Sequence, residues 1–202
     1  MKTVITAKLK LLTSPAQFQA LRHTQLAYRD ALNYVSTYAF EHGKMSNRVA
    51  LQDGTYDEVR ARFHLPSQMA CSVPRQVGAT YKTLWTKVKQ NAAHRESGQT
   101  KKRYKGLDQP PKYVSPTLTY QHRKDYSFKR EQHVSILTLS GRVIVPYTGY
   151  ASHIALIQKG LQSVLPSCGM TKPGSTSTCS SLLKSREQTR HLRPIRVWQG
   201  WM

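Results

Sequence analysis

Residues 3–17, TVITAKLKLLTSPAQ, hold two different periods joined by a cap. Ile5, Ala7, Leu9 and Leu11 fall on one face and Thr6, Lys8 and Lys10 on the other, the alternation of a strand with one buried side. The period then changes. Ser14 stands at the N-cap of a helix, Pro15 at its first position, and Gln17 completes a capping box. Phe18, Leu21, Tyr28, Leu32, Val35 and Ala39 recur at threes and fours until Gly43 supplies a left-handed stop. A strand that opens a sheet therefore runs directly into one long amphipathic helix.

Working outward, NRVALQDGTYDEVRARFHLP (47–66) reads as a turn around Asp53-Gly54, a short helix and a break at Pro66. PRQVGATYKTLWTKVKQNAAH (74–94) is a second clear helix with Val77, Tyr81, Leu84, Trp85 and Val88 on one side. Arg75, Lys82 and Lys89 line up almost opposite that side, and the stripe reads equally as a solvated face or as a phosphate contact. HRESGQTKKRYKGLDQPPKY (94–113) carries Lys101, Lys102, Arg103, Lys105 and Lys112 with Tyr104 and Tyr113 interleaved. It is a loop or linker by its glycines and prolines, and its cations and rings suit phosphates and bases as well as they suit solvent. Strands resume at TLTYQ and YSFKRE, then at HVSILTL-SG-RVIVPY, where Ser140-Gly141 is a two-residue hairpin signal. Strand, helices, strands is an α+β order with a helical insertion in a β platform. The opening strand is expected in the same sheet as the later ones, because its apolar face has no other partner.

Charge bounds the partners. The 202 residues carry 31 Lys+Arg against 10 Asp+Glu, a formal net charge of +21, and the pI is near 10.2. Such an excess points to a polyanion. No apolar span is long enough for a membrane, and Lys8 and Lys10 interrupt the N-terminal apolar run too early for a signal sequence, so a cytoplasmic protein is expected. Cys71, Cys168 and Cys179 form no C-x-x-C pair and read as small core residues.

The motifs of common catalytic scaffolds are absent: no phosphate-binding glycine loop, no H-E-x-x-H, no G-x-S-x-G. Phosphodiester hydrolysis usually recruits divalent metals through two or three carboxylates. After Glu131 the only acidic residue is Glu187. Asp53, Asp57 and Glu58 cluster, but at a turn and helix start, where carboxylates serve the helix dipole. His122 and His133 flank a turn and read as surface or hydrogen-bonding residues. No cofactor, metal or small-molecule substrate is expected, and no catalytic residue.

ITAKLKLLTSPAQ, LAYRDALNYV, TLWTKVKQ, the basic linker and ILTLSGRVIVPY, in this order, resemble the N-terminal half of the TnpB (OrfB) family of transposon-encoded RNA-guided nucleases, over about residues 1–160. The resemblance implies a β-barrel-like wedge domain (1–13 and 117–160), interrupted by a helical, helix-turn-helix-like recognition insertion (14–95) and a basic linker (96–116). It implies guide RNA and/or DNA as partners, with sequence read mainly by base pairing. The family's catalytic half has a RuvC-like fold with three acidic residues and a four-cysteine zinc element, and neither is found in this sequence. The alternative is a small self-contained basic DNA- or RNA-binding regulator.

From about Gly160 the periodicity stops, and residues 161–202 are expected to be a disordered or poorly folded, out-of-frame tail. The genetic code tests the idea at positions where it leaves no choice. Met170-Thr171 re-read in the next frame forces aspartate, Trp198-Gln199 alanine and Trp201-Met202 aspartate. RVWQGWM can so become GVAGVD, which looks like the first RuvC strand with its metal-binding carboxylate.

Overall fold

Along the first strand, β1 (Val4–Leu11), Ala7, Leu9 and Leu11 are buried while Lys8 and Lys10 face solvent. The computed structural model describes residues 4–115, 117–129, 131–158, 163–169 and 177–184, with residues 4–6, 156, 158, 163–169 and 177–184 followed by their backbone alone. Helix α1 (Pro15–Glu41) starts as its cap requires: the Gln17 N–H donates to Ser14 Oγ at 3.3 Å and the Ser14 N–H to Gln17 Oε1 at 3.0 Å. It stops at Gly43, whose φ of +79° suits a residue without Cβ, and the Ala39 and Phe40 carbonyls accept from Met45 and Lys44. Leu21, Tyr28, Leu32, Val35 and Ala39 are buried as their spacing requires.

Two helix boundaries differ from the sequence expectation, each for a packing reason. Helix α2 (Arg48–Phe63) begins at the Asn47 N-cap and continues through Asp53-Gly54 without a turn. A Cβ on Gly54 would lie 2.4 Å from Tyr38 Oη, and the Tyr38 ring is itself stacked on His42 at 3.9 Å. Glycine is present there for close helix approach rather than for a bend. Helix α3 (Ser67–Glu96) starts seven residues before Pro74, which sits buried inside it. The proline forfeits the N–H that would bond the Ala70 carbonyl, and its ring is used as core volume instead.

The sheet follows: β2 (Thr117–Thr119), β3 (Tyr126–Phe128), β4 (His133–Thr138), β5 (Gly141–Gly149), helix α4 (Ala151–Gln158), β6 (Ser163–Gly169) and β7 (Ser177–Lys184). Its spatial order is β2-β6-β7-β1-β5-β4-β3, and every pairing is antiparallel. β1 pairs with β5 through Leu9↔Gly149 and Leu11↔Tyr147, so the opening strand does share the sheet of the later strands, with α1, α2 and α3 intervening in sequence. The β4–β5 hairpin turns at Leu139-Ser140, one residue before the expected pair, with Thr138 opposite Gly141. Among the described residues no ladder joins β2 to β3, so the sheet is not closed. Its two edge strands are nevertheless consecutive in sequence, joined by a tight turn in which the Asp125 N–H donates to Gln121 O at 2.8 Å, and the sheet must curve to let them meet.

Helix α4 lies where the sequence pattern shows only strands, and β6 and β7 form where it shows no regular element. β7 runs antiparallel to β1 from Val4↔Lys184 to Leu11↔Ser177, and backbone pairing satisfies an edge that strand period alone does not reveal. Glu187, Trp198 and Met202 of the expected aberrant tail lie outside the described residues.

The core sits between the helices and the concave sheet. Leu118, Ile136, Val145 and Tyr147 from the strands and Tyr120 just after β2 share one buried cluster with Leu21, Tyr28, Leu32 and Val35 of α1 and Val73, Val77 and Tyr81 of α3. Two polar bonds pin α1 to the sheet: Leu139 N–H to Thr24 Oγ1 at 3.1 Å and Gln17 Nε2 to Ile144 O at 3.1 Å. Among the described residues no helix is long and apolar enough to cross a membrane.

Candidate nucleic-acid interface

Helix α3 has 30 residues, but its buried side chains end at Tyr81. Beyond Tyr81 the side chains are exposed or, at Leu84, Val88 and Asn91, half-buried. Between residues 82 and 105 the chain has eight Lys or Arg and a single acidic residue, Glu96, and all eight cations are exposed. The C-terminal half of α3 and the segment after it are thus strongly cationic.

The segment after α3 is an ordered strap rather than a free linker. Asn91, on α3, donates through Nδ2 to the Lys102 carbonyl at 3.0 Å and accepts at Oδ1 from the Tyr104 N–H at 2.9 Å. Asn33, on α1, does the same to one residue, donating to the Tyr113 carbonyl at 3.1 Å and accepting from its N–H at 2.7 Å. Ser36 Oγ donates to the Pro111 carbonyl at 2.7 Å and the Tyr113 hydroxyl to Thr80 Oγ1 at 2.8 Å. Leu107 is buried beneath the strap. The strap's backbone is thus held by side chains of two helices while Lys101, Lys102, Arg103, Lys105 and Lys112 all face solvent.

The two tyrosines divide. Burial pushes the Tyr113 phenol up to about 12, offset in part by its bond to Thr80, so it stays protonated as a structural donor. Tyr104 is half-buried against Gly106, with the Lys87 ammonium 5.9 Å from its ring centroid. Arg103 donates to Asp108 Oδ1 at 2.6 Å, so this guanidinium is engaged within the strap.

The nine candidate contacts, Arg75, Lys82, Lys89, residues 101–105 and Lys112, do not form one patch. Successive α3 residues turn by 100°, which puts Thr80, Lys87 and Asn91, the strap-facing residues, about 160° around the helix from Arg75, Lys82 and Lys89. The exposed Ala79, Thr83, Thr86 and Gln90 lie between. The strap and the stripe are therefore opposite margins of one neutral helix face. Lys87, Asn91, Asn33 and Asp108 belong to the site yet carry no motif, and only the general basicity of α3 marks the lysine in sequence.

The acidic cluster Asp53, Asp57 and Glu58 lies elsewhere, on α2. Asp53 and Asp57 are exposed in mid-α2, and Glu58 accepts a hydrogen bond from Tyr34, whose phenol burial and this carboxylate push up to about 12. His122 is half-buried beside Tyr126, its ring centroid 5.2 Å away, and burial followed by Arg123 lowers its pKa. Comparison with known families finds no family model that matches the chain, and comparison with curated proteins finds no match.

Proposed function

We propose that this chain is a nucleic-acid-binding protein that holds RNA or DNA by its phosphate backbone, through the α3 stripe and the strap, and that it has no nuclease activity of its own. The observation that carries the proposal is the run of eight exposed cations against one acid between residues 82 and 105, on a surface that is already ordered. Each phosphate neutralised by such a cation releases condensed counterion, which makes binding favourable and salt-dependent. The lack of nuclease activity rests on the acidic residues: only Glu187 follows Glu131.

In the more specific form of the proposal the chain corresponds to the N-terminal half of a TnpB-like protein and binds guide RNA and/or DNA. Two features support that form: the insertion of three helices between β1 and β2, and a sheet whose edge strands meet at the Gln121–Tyr126 turn, which suits a barrel-like wedge domain. A second reading, a self-contained binding module, is favoured by β7, which pairs with β1 along eight residues. Amide exchange separates the two. Protection of residues 177–184 comparable to that of β5 supports the self-contained module, whereas exchange at unfolded-chain rates supports the truncated relative with an out-of-frame tail.

Fluorescence anisotropy with labelled RNA and DNA oligonucleotides between 50 and 200 mM salt tests the function itself. Each phosphate contact contributes about −0.9 to the slope of log affinity against log salt on duplex DNA and about −0.7 on single strands. K82E/K89E and K101E/K102E should each weaken binding and flatten the slope, across sequences. A slope near zero in the unmodified protein would remove the proposal.

A further inference from the structure

Asn91 and Asn33 are uncharged, yet each satisfies one N–H and one C=O of the strap from the side, as a neighbouring strand would. We infer that Asn91 is a positioning residue for nucleic acid: by fixing residues 102–104 against α3 it turns the strap lysines into a preformed track for a phosphodiester backbone. This rests on the function proposed above and goes further, because it assigns control of affinity to a side chain with no charge and no reach to the ligand.

The argument is one of entropy. A free segment carrying Lys101, Lys102 and Lys105 would have to lose backbone freedom on binding, a cost that rises with every residue ordered. Here that cost is met at folding. Residues 102 and 104 are bonded to Asn91, the Tyr104 ring lies against Gly106 beside Lys87, and Leu107 is buried. The amide of Asn91 spends its donor on one strap residue and its acceptor on another two positions on, so a single side chain sets both the height and the register of the strap. Preorganisation of this kind raises affinity, and it lets the strap lysines reach phosphates together that a loose segment would meet only in part.

The test uses the full chain with three labelled probes of one 20-nucleotide sequence: single-stranded RNA, single-stranded DNA and duplex DNA. N91A should lower affinity about tenfold for the probe that runs along the strap, and should flatten its salt slope by about two phosphate contacts although no charge is removed. In a K101A/K102A/K105A background N91A should change affinity less than about twofold, the non-additivity expected of groups acting through one another. Tryptic cleavage at Lys101–Lys105 in the unliganded protein should accelerate in N91A, which reports the loosened strap. Several results would overturn the inference. One is an unchanged salt slope in N91A with accelerated cleavage, and another is cleavage that does not accelerate. A third is an N91A effect of equal size with and without the strap lysines, which would mean that Asn91 acts elsewhere. If the unmodified chain binds none of the probes, the proposed function fails instead. The probe that responds identifies whether RNA, single-stranded DNA or duplex DNA uses the track.

Discussion

Asp108 offers a gain-of-binding test that does not depend on damaging the fold. Its carboxylate holds Arg103 at 2.6 Å, with the two side chains 39% and 68% exposed, so the pair is a surface salt bridge. Such pairs contribute about 0–1 kcal/mol to stability, and D108N should leave the thermal midpoint nearly unchanged. What it changes is the availability of a guanidinium that suits phosphate in bidentate geometry. If the freed Arg103 makes one further phosphate contact with duplex DNA, the salt slope steepens by about 0.9, and the gain in affinity over the unmodified chain is about 3.5-fold larger at 50 mM than at 200 mM salt. Anisotropy titrations at four or five salt concentrations resolve that difference. D53N is the control: it removes the same charge from an exposed position on α2, away from the strap, and should leave the slope as it was. Equal slopes in D108N and the unmodified chain would refute the reasoning, as would a loss of affinity, which would mean that Asp108 is needed to shape the strap.

Two predictions concern the scaffold. Asp125 is buried at the turn between β2 and β3, with Oδ2 accepting from the Gln121 N–H at 2.8 Å and no donor to Oδ1 among the described residues. Burial raises its pKa, so its contribution to stability is fully present below the ordinary carboxylate range and is lost as pH rises through the folded-state value; D125N removes that dependence, and its thermal midpoint relative to the unmodified protein should be more favourable at pH 7 than at pH 4, the reverse trend refuting the assignment. Gly78 faces the Ser46 carbonyl, 3.0 Å from where a Cβ would lie. G78A gains about 1 kcal/mol of helix propensity but must displace backbone, and should lower the thermal midpoint by about 2–4 °C per kcal/mol of net loss, whereas a rise would show that residues 46–48 yield freely.

What the sequence disclosed were the features whose causes are local. The Ser14–Gln17 box, the alternation in β1 and the hairpin near Ser140 depend on residues within a few positions of one another, and each forms close to where its signal lies. Gly54 and Pro74 mislead for one reason: their usual local meaning, a turn and a helix start, is overridden by contacts from afar, Tyr38 in one case and the buried core in the other. The basicity of the candidate interface was plain, but its division into two margins depends on which side of α3 the strap occupies. That is decided by Thr80, Lys87 and Asn91, which in sequence are ordinary polar residues of a helix. An asparagine in a helix reads as mildly unfavourable, and its use as a backbone clamp becomes visible only with the partner segment in place.

The two margins also bear on how so basic a chain can fold with no polyanion bound. Like charges packed together oppose folding, and +21 over 202 residues is a large excess. On α3 the cations are spread rather than massed: Arg75, Lys82 and Lys89 stand two turns apart along one margin, and the strap lysines stand across a neutral face of Ala79, Thr83, Thr86 and Gln90. In saline solvent, charges separated by more than about 8–10 Å are largely screened from one another, so the repulsion between successive stripe cations and between the two margins is modest. A phosphate backbone brought against either margin still meets several cations at short range, where screening is weakest. The arrangement therefore keeps the cost of concentrated charge low in the unliganded state while leaving the attraction available on contact. The asparagine clamps contribute to both, since a loose strap could neither keep its lysines apart from the stripe nor present them together.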